Sequence, residues 1–271
     1  MQRRHFLQIG LATAFGIAFA RLTRAAASSL FLEDLTWMET RDLIAAGKIV
    51  VLVPTGGTEQ NGPHMALGKH NIVVRRTAGE IARRLGNALV APVLPYVPEG
   101  EFDPPDGHMA YPGTMGLSNP AFETVLRDIA TSLVLAGFRL VCFVGDHGES
   151  QAVQTKVAKT LSRLWHHRGV RVASLDRYYF ASGQDDWLKQ QGFSETAIGH
   201  HASIPDTAEL MALAPDELRG DKLAPAGWPK DSGADGDPAK ATQAIGEKML
   251  QLKIAAGEAQ IREILATMLV R

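Results

Sequence analysis

A single cysteine, Cys142, is the only thiol in this 271-residue sequence, so no disulfide can form within the chain. Its neighbours Leu140, Val141, Phe143 and Val144 mark it as a buried strand residue. An excess of one charge is missing too: 28 Lys and Arg face 29 Asp and Glu, for a formal net charge of -1. There is no basic stripe and no acidic tail, which points away from nucleic acid or an anionic surface as the main partner. After the first 27 residues no apolar run is long enough to span a membrane. No segment repeats and no linker-like stretch divides the chain. What is present is a globular composition, 45% hydrophobic and 21% charged, in a length that one α/β domain accommodates.

Residues 1–27 are written differently from the rest. "MQRRHFLQIG" carries Arg3 and Arg4 before Phe6 and Leu7, "LATAFGIAFA" is moderately apolar, and "RLTRAAASS" ends in small residues. A charged start, a short apolar middle and an Ala-rich end describe a signal peptide. The paired arginines resemble the twin-arginine export signal, which carries folded proteins. The expectation is an exported, periplasmic protein cleaved near Ala25–Ala27, with residues 28–271 forming the mature domain.

The mature chain alternates. "KIVVLVPTG", "NALVAPVLPYV", "FRLVCFVGDHG" and "VRVASLD" are apolar, β-branched runs bounded by turn residues, the pattern of strands buried on both faces. Between them lie segments with helical spacing: "NIVVRRTAGEIARRLG", "PAFETVLRDIATSLVLAG" and "ESQAVQTKVAKTLSRLWHHRG". The alternation predicts a mainly parallel central sheet with helices on both faces. A long last helix is expected from about Pro238 to Met268.

Ligands of open α/β sheets bind beyond the carboxyl ends of the strands. The first strand is followed there by Glu59, His64 and His70, and the third by Asp146, His147 and Glu149. Imidazole and carboxylate groups converging from two loops suit Zn²⁺ or Mn²⁺, and three such ligands with one open position describe a hydrolytic site. Each residue also has a structural reading: a loop histidine that only hydrogen-bonds, a turn-forming Asp146, or a Glu149 drawn to a helix start.

The stretch "VPTGGTEQNGPHMALGKHNIVV" resembles the signature of the creatininase (creatinine amidohydrolase) family. "YPGTMGLS", "VGDHGESQ", "GHHASIPDTAELMALAP" and "GDPAKATQAIGEKML" resemble further elements of that family in the same order, from about Val51 to Leu250. The resemblance implies a three-layer α/β sandwich and a metal-dependent hydrolase that cleaves an amide C–N bond, often in a ring. The partner it implies is a small-molecule amide substrate, and it implies a homo-oligomer, often a hexamer. It places metal binding on Glu59, His147 and Glu149, and catalytic roles on His201 and Asp206. Two positions depart from the pattern. The family has histidine where this chain has Asn61, and a bridging aspartate where it has His70. An imidazole offers one lone pair and cannot bridge two ions as a carboxylate does, so the second ion's site is expected to be weak or absent. The expected ligand set is Glu59, His70 and His147, with Glu149 as fourth ligand or base, around one Zn²⁺, with Mn²⁺ or Fe²⁺ as alternatives. Glu149 or His201 would move the proton. Asn61, His64, His108 and Asp146 would support the ligands from behind or line the substrate pocket. The competing expectation is a catalytically impaired periplasmic protein that binds a small molecule or a metal.

Overall fold

The computed structural model describes residues 29–223 and 231–269; the expected signal peptide lies outside them. The chain enters through a short helix, α1 (Trp37–Ala45), set by a capping box in which Thr36 and Glu39 satisfy each other's backbone amides. The first strand, β1 (Val50–Thr55), is buried along its whole length. It is followed by α2 (Lys69–Leu85) and β2 (Ala88–Val90). After a long loop come α3 (Asn119–Ala136), started by a Ser118 side-chain cap and Pro120, β3 (Leu140–Gly145), α4 (Gln151–Trp165) and β4 (Arg171–Ser174). Four short or medium helices follow: α5 (Asp176–Phe180), α6 (Gln184–Gln190), α7 (Glu195–Ile198) and α8 (Ile204–Leu213). The long α9 (Gln243–Leu269) closes the chain.

The four strands are parallel, in the order β2-β1-β3-β4. Val51, Val53, Val141 and Phe143 pack on one side with Phe122, Leu126, Val157 and Leu161 of α3 and α4. Val50, Leu52, Leu140, Cys142 and Val144 pack on the other with Val74 and Ile81 of α2 and with Ile254 and Ile261 of α9. Alternate side chains of each strand thus feed opposite layers, and both layers are apolar. This is the mainly parallel, helix-flanked sheet that the alternation predicts.

Three boundaries differ from the sequence expectation. β2 is only three residues long: Pro54, on the side of β1 that faces it, has no N–H to donate, and contact resumes only at Leu94, whose N–H donates to Pro54 O at 2.9 Å and whose O accepts from Gly56 N–H at 3.0 Å. The edge of β2 is covered by the chain just before α1, where Val90 N–H donates to Leu30 O at 2.8 Å. The last helix begins at Gln243, since Pro238–Lys240 forms a separate single turn. Helix α2 starts at Lys69, earlier than its spacing suggests, so His70 lies in its first turn. Helices α8 and α9 cross so closely that a Cβ on Gly246 would stand 1.8 Å from Ala208 O.

Candidate metal centre

The strand order reverses between β1 and β3: the chain runs from β1 out to β2, then returns to place β3 on the other side of β1. The loops leaving β1 and β3 therefore diverge and open a crevice, where a doubly wound sheet binds its ligand. A cavity of about 470 Å³ lies there, lined among others by Glu59, His70, His108, His147, Glu149 and His201.

Glu59 is the hub. It is wholly buried. His70 Nε2 lies 2.7 Å from Glu59 Oε1, and His147 Nε2 lies 2.9 Å from Oε2. His108 Nε2 approaches Oε2 at 3.1 Å. Burial opposes a charge on Glu59, but the hydrogen bonds and charges of His147 and His70 outweigh it and hold the carboxyl well below its usual range. His147 is pushed up to about 10: burial works against its cation, and Glu59 and Glu99 overcome that. Glu99, also wholly buried, stands with Oε2 3.0 Å from His147 Nε2. Burial raises its carboxyl to about 7.

His70 is held on both sides. Its Nδ1 faces Asp146 Oδ2 at 3.0 Å while its Nε2 faces Glu59. Lys69 Nζ also approaches Nδ1, at 3.3 Å, so both ring nitrogens of His70 face charged groups. Asp146 is shared further: its Oδ1 accepts from Tyr178 OH at 2.9 Å and from Lys253 Nζ at 2.7 Å. Lys253 also donates to Glu209 Oε2 at 3.0 Å. On the far side Lys69 Nζ donates to Asp206 Oδ1 at 2.6 Å. A buried network of protein cations and carboxylates thus backs one wall of the cavity.

The remaining expected residues divide. Glu149 lies exposed on the cavity wall, its carboxyl raised by burial of part of its surface. Asp206 lines the cavity as the partner of Lys69. His201 and His108 face each other, ring centroids 4.4 Å apart. The Gln60 amide bridges them, 2.9 Å from His108 Nδ1 and 3.0 Å from His201 Nε2. Burial brings His108 down to about 4 and lowers His201 as well. The turn carrying His201 is fixed by Asp235 Oδ1, which accepts from the backbone N–H of His200 and of His201 at 2.8 Å each. The next residue, Ala202, is held at φ +50°, a left-handed conformation that a residue with a Cβ adopts at a cost. His64 sits buried behind the site, with Nε2 2.8 Å from Thr207 Oγ1. Asn61 turns inward to its own loop, its amide donating to Glu59 O at 3.0 Å.

Sequence reasoning missed Glu99, Gln60, Lys69, Glu209 and Lys253. A signal existed for Lys253. It falls four residues after Met249 and one before Ile254, on the apolar stripe of α9, where a lysine needs a buried partner. Glu99 gave no such sign in its turn-rich loop.

Among the described residues, Glu59, Glu99 and His147 place one donor atom each within 4.8 Å of one another, and so do Glu59, His108 and His201. Carboxylate and imidazole donors in this mixture fit Zn²⁺ or Mn²⁺.

Fold and site together define an α/β protein with carboxylate and imidazole donors gathered at the switch point of a parallel sheet. The sequence profile of the creatininase family, described as creatinine amidohydrolase, matches residues 33–260. The chain belongs to the creatininase family. It is 28% identical to the creatinine amidohydrolase of Pseudomonas putida over 221 residues, 78% of this chain and 84% of that one. It is 29% identical to the mycofactocin precursor peptide peptidase of Mycolicibacterium smegmatis over 215 residues, 74% of this chain and 79% of that one. A solved structure of creatinine amidohydrolase superposes with a TM-score of 0.71 at 25% identity, covering 87% of this chain and 98% of the other. A creatininase described with Mn gives 0.71 at 26% identity and the same coverage.

Proposed function

We propose that this protein is an exported, metal-dependent amidohydrolase that cleaves a C–N bond of a small cyclic or formyl-type amide. The observation that carries the reading is the convergence of Glu59 and His147, from the ends of β1 and β3, at 2.9 Å in a cavity of about 470 Å³. Family membership supports the reaction class. Glu59 and His147 would hold one divalent ion, Zn²⁺ in our reading, with Mn²⁺ or Fe²⁺ as alternatives. When bound, such an ion supplies Lewis acidity toward a carbonyl oxygen and makes water acidic near neutral pH. Glu149, on the cavity wall with a raised pKa, accepts a proton from the attacking water and returns it to the departing nitrogen. His201, whose pKa burial lowers and which Gln60 and Asp235 hold, would donate to the substrate carbonyl or leaving group, and Asp206 borders the same space. In the balance, the water oxygen forms the new C–O bond, the C–N bond breaks, and one water proton ends on nitrogen. His70 fixes Glu59 and Asp146 in this reading, and because the two donor groups share Glu59 a single ion is expected. Export rests on the paired arginines and apolar start of residues 1–27. A homo-oligomer rests on the family resemblance.

The test is turnover of a panel of lactams, formyl amides and a short peptide by purified protein loaded with Zn²⁺ or Mn²⁺. Hydrolysis is expected, and Glu149→Gln should lower it about 100-fold or more. Binding of a panel compound without any turnover would instead support a binding protein. Two tightly held ions per chain by metal analysis would contradict the single-ion reading.

A further inference from the structure

We propose that Glu99 is a metal ligand, and that Glu59, Glu99 and His147 together form the divalent-ion site of this chain. The inference rests on the metal-dependent reading above and names a donor that the loop motifs do not contain. Four observations converge on it.

First, Glu99 is wholly buried, and neither carboxylate oxygen receives a hydrogen bond. His147 Nε2 lies 3.0 Å from Glu99 Oε2, but its single hydrogen serves Glu59 at 2.9 Å. A buried carboxylate without a donor is costly and calls for a partner. Second, the neighbouring loops make room for this side chain. A Cβ on Gly57 would stand 3.0 Å from Glu99 Oε1, and one on Gly116 would stand 3.2 Å from Glu99 Cβ and Cγ. Third, the backbone at this point is pinned. Met109 N–H donates to Glu99 O at 3.1 Å, and Leu117 N–H donates to Val97 O at 2.9 Å. The carboxylate is thus delivered by a fixed segment and not by a free loop tip. Fourth, its oxygen, one Glu59 oxygen and one His147 nitrogen lie within 4.8 Å of one another. His70 and Glu149 belong to neither donor group. Two carboxylates and an imidazole make three protein donors, the number that catalytic zinc sites use while keeping one position open.

The competing role for Glu99 is a neutral acid that merely fills its niche. Glu99→Gln separates the two, because the amide keeps size and polarity but loses the anionic donor. Chelator-stripped full-length protein is titrated with ZnCl₂ by calorimetry, and the Co²⁺-substituted protein is read by its visible absorption. Wild type, Glu99→Gln, Glu99→Asp and Glu101→Gln are compared. Glu99→Gln should weaken Zn²⁺ binding by more than the about 10- to 100-fold that loss of an outer partner produces, and should change the Co²⁺ spectrum. Glu101→Gln, which alters an exposed carboxylate of the same loop, should leave both nearly unchanged. If Glu99→Gln does not fold, Glu99→Asp keeps the charge while withdrawing it by one methylene, and a Co²⁺ spectrum identical to wild type would then overturn the proposal. Equal Zn²⁺ affinity in wild type and Glu99→Gln would overturn it while leaving the hydrolase reading intact. A wild type that binds no ion would overturn the metal-dependent reading and this proposal with it.

Discussion

Lys69 and Asp206 show how a single residue pair carries stability next to a reactive cavity. The Lys69 side chain is 1% exposed and donates to Asp206 at 2.6 Å. A buried ion pair adds little over an apolar pair, but removing one partner strands the other charge at a cost of about 3–5 kcal/mol. That exceeds the about 1.5–3 kcal/mol that burying one large core side chain returns. Asp206→Ala should therefore destabilise the protein by about 3–5 kcal/mol in urea unfolding. The pair also sets an acid limit. Burial alone would raise the Asp206 carboxyl, but Lys69, with His70 and His201, brings it down from 3.8 to about 2. A depressed folded-state pKa gives stabilisation that is complete above the ordinary value and is lost as pH falls through about 2. The difference in stability between wild type and Asp206→Ala should shrink over that interval, and a constant difference down to pH about 2 would show that the charge pair is not its source. At this scale the sequence was only partly legible. Glu59 and His147 could be picked out because strand ends announce themselves. Which nitrogen of His70 faces which carboxylate, and that Asn61 bonds back to its own loop, depend on contacts across the fold that one-dimensional spacing does not encode.

At the scale of elements, the close crossing of α8 and α9 governs how Glu209 and Lys253 meet. The contact requires a residue without a Cβ at position 246, where an added carbon would stand 1.8 Å from Ala208 O. The obstacle is backbone, so it cannot be relieved by a rotamer change. Gly246→Ala should cost about 1–3 kcal/mol or more, seen as a lowered Tm. A neutral or stabilised variant would mean that the two helices do not cross at this distance. The helices and strands themselves were largely readable, because apolar periodicity and buried β-branched runs report the layers directly. The boundaries were not. The start of α2 two residues before its apolar pattern, and the stop of β2 at Val90, are decided by which backbone groups find partners across the fold. The loop that brings Glu99 inward has neither periodicity nor motif; only the assembled sheet shows that its backbone is pinned to the segment preceding α3.

For the whole molecule, a parallel sheet order of β2-β1-β3-β4 makes one crevice and loads it from both directions of the chain. An ion bound there touches loops that follow β1, β2 and β3, so it should tie the molecule together. Zn²⁺ at about 100 times its Kd should add about 2.7 kcal/mol to the unfolding free energy, a rise of several degrees in Tm, and chelation should reverse it. An unchanged Tm at saturating Zn²⁺ would remove the ion from any structural account of the fold. The global architecture was legible from alternation alone, since few arrangements bury four two-sided apolar strands. The contribution of α9 to the cavity was not, because nearly two hundred residues separate β1 from Lys253 along the chain. That distance has a consequence for how each copy comes into being. While the polypeptide is still emerging from the ribosome, Asp146 and Glu209 wait without the ammonium group of Lys253, so the pocket can take its working form only after α9 has joined the fold.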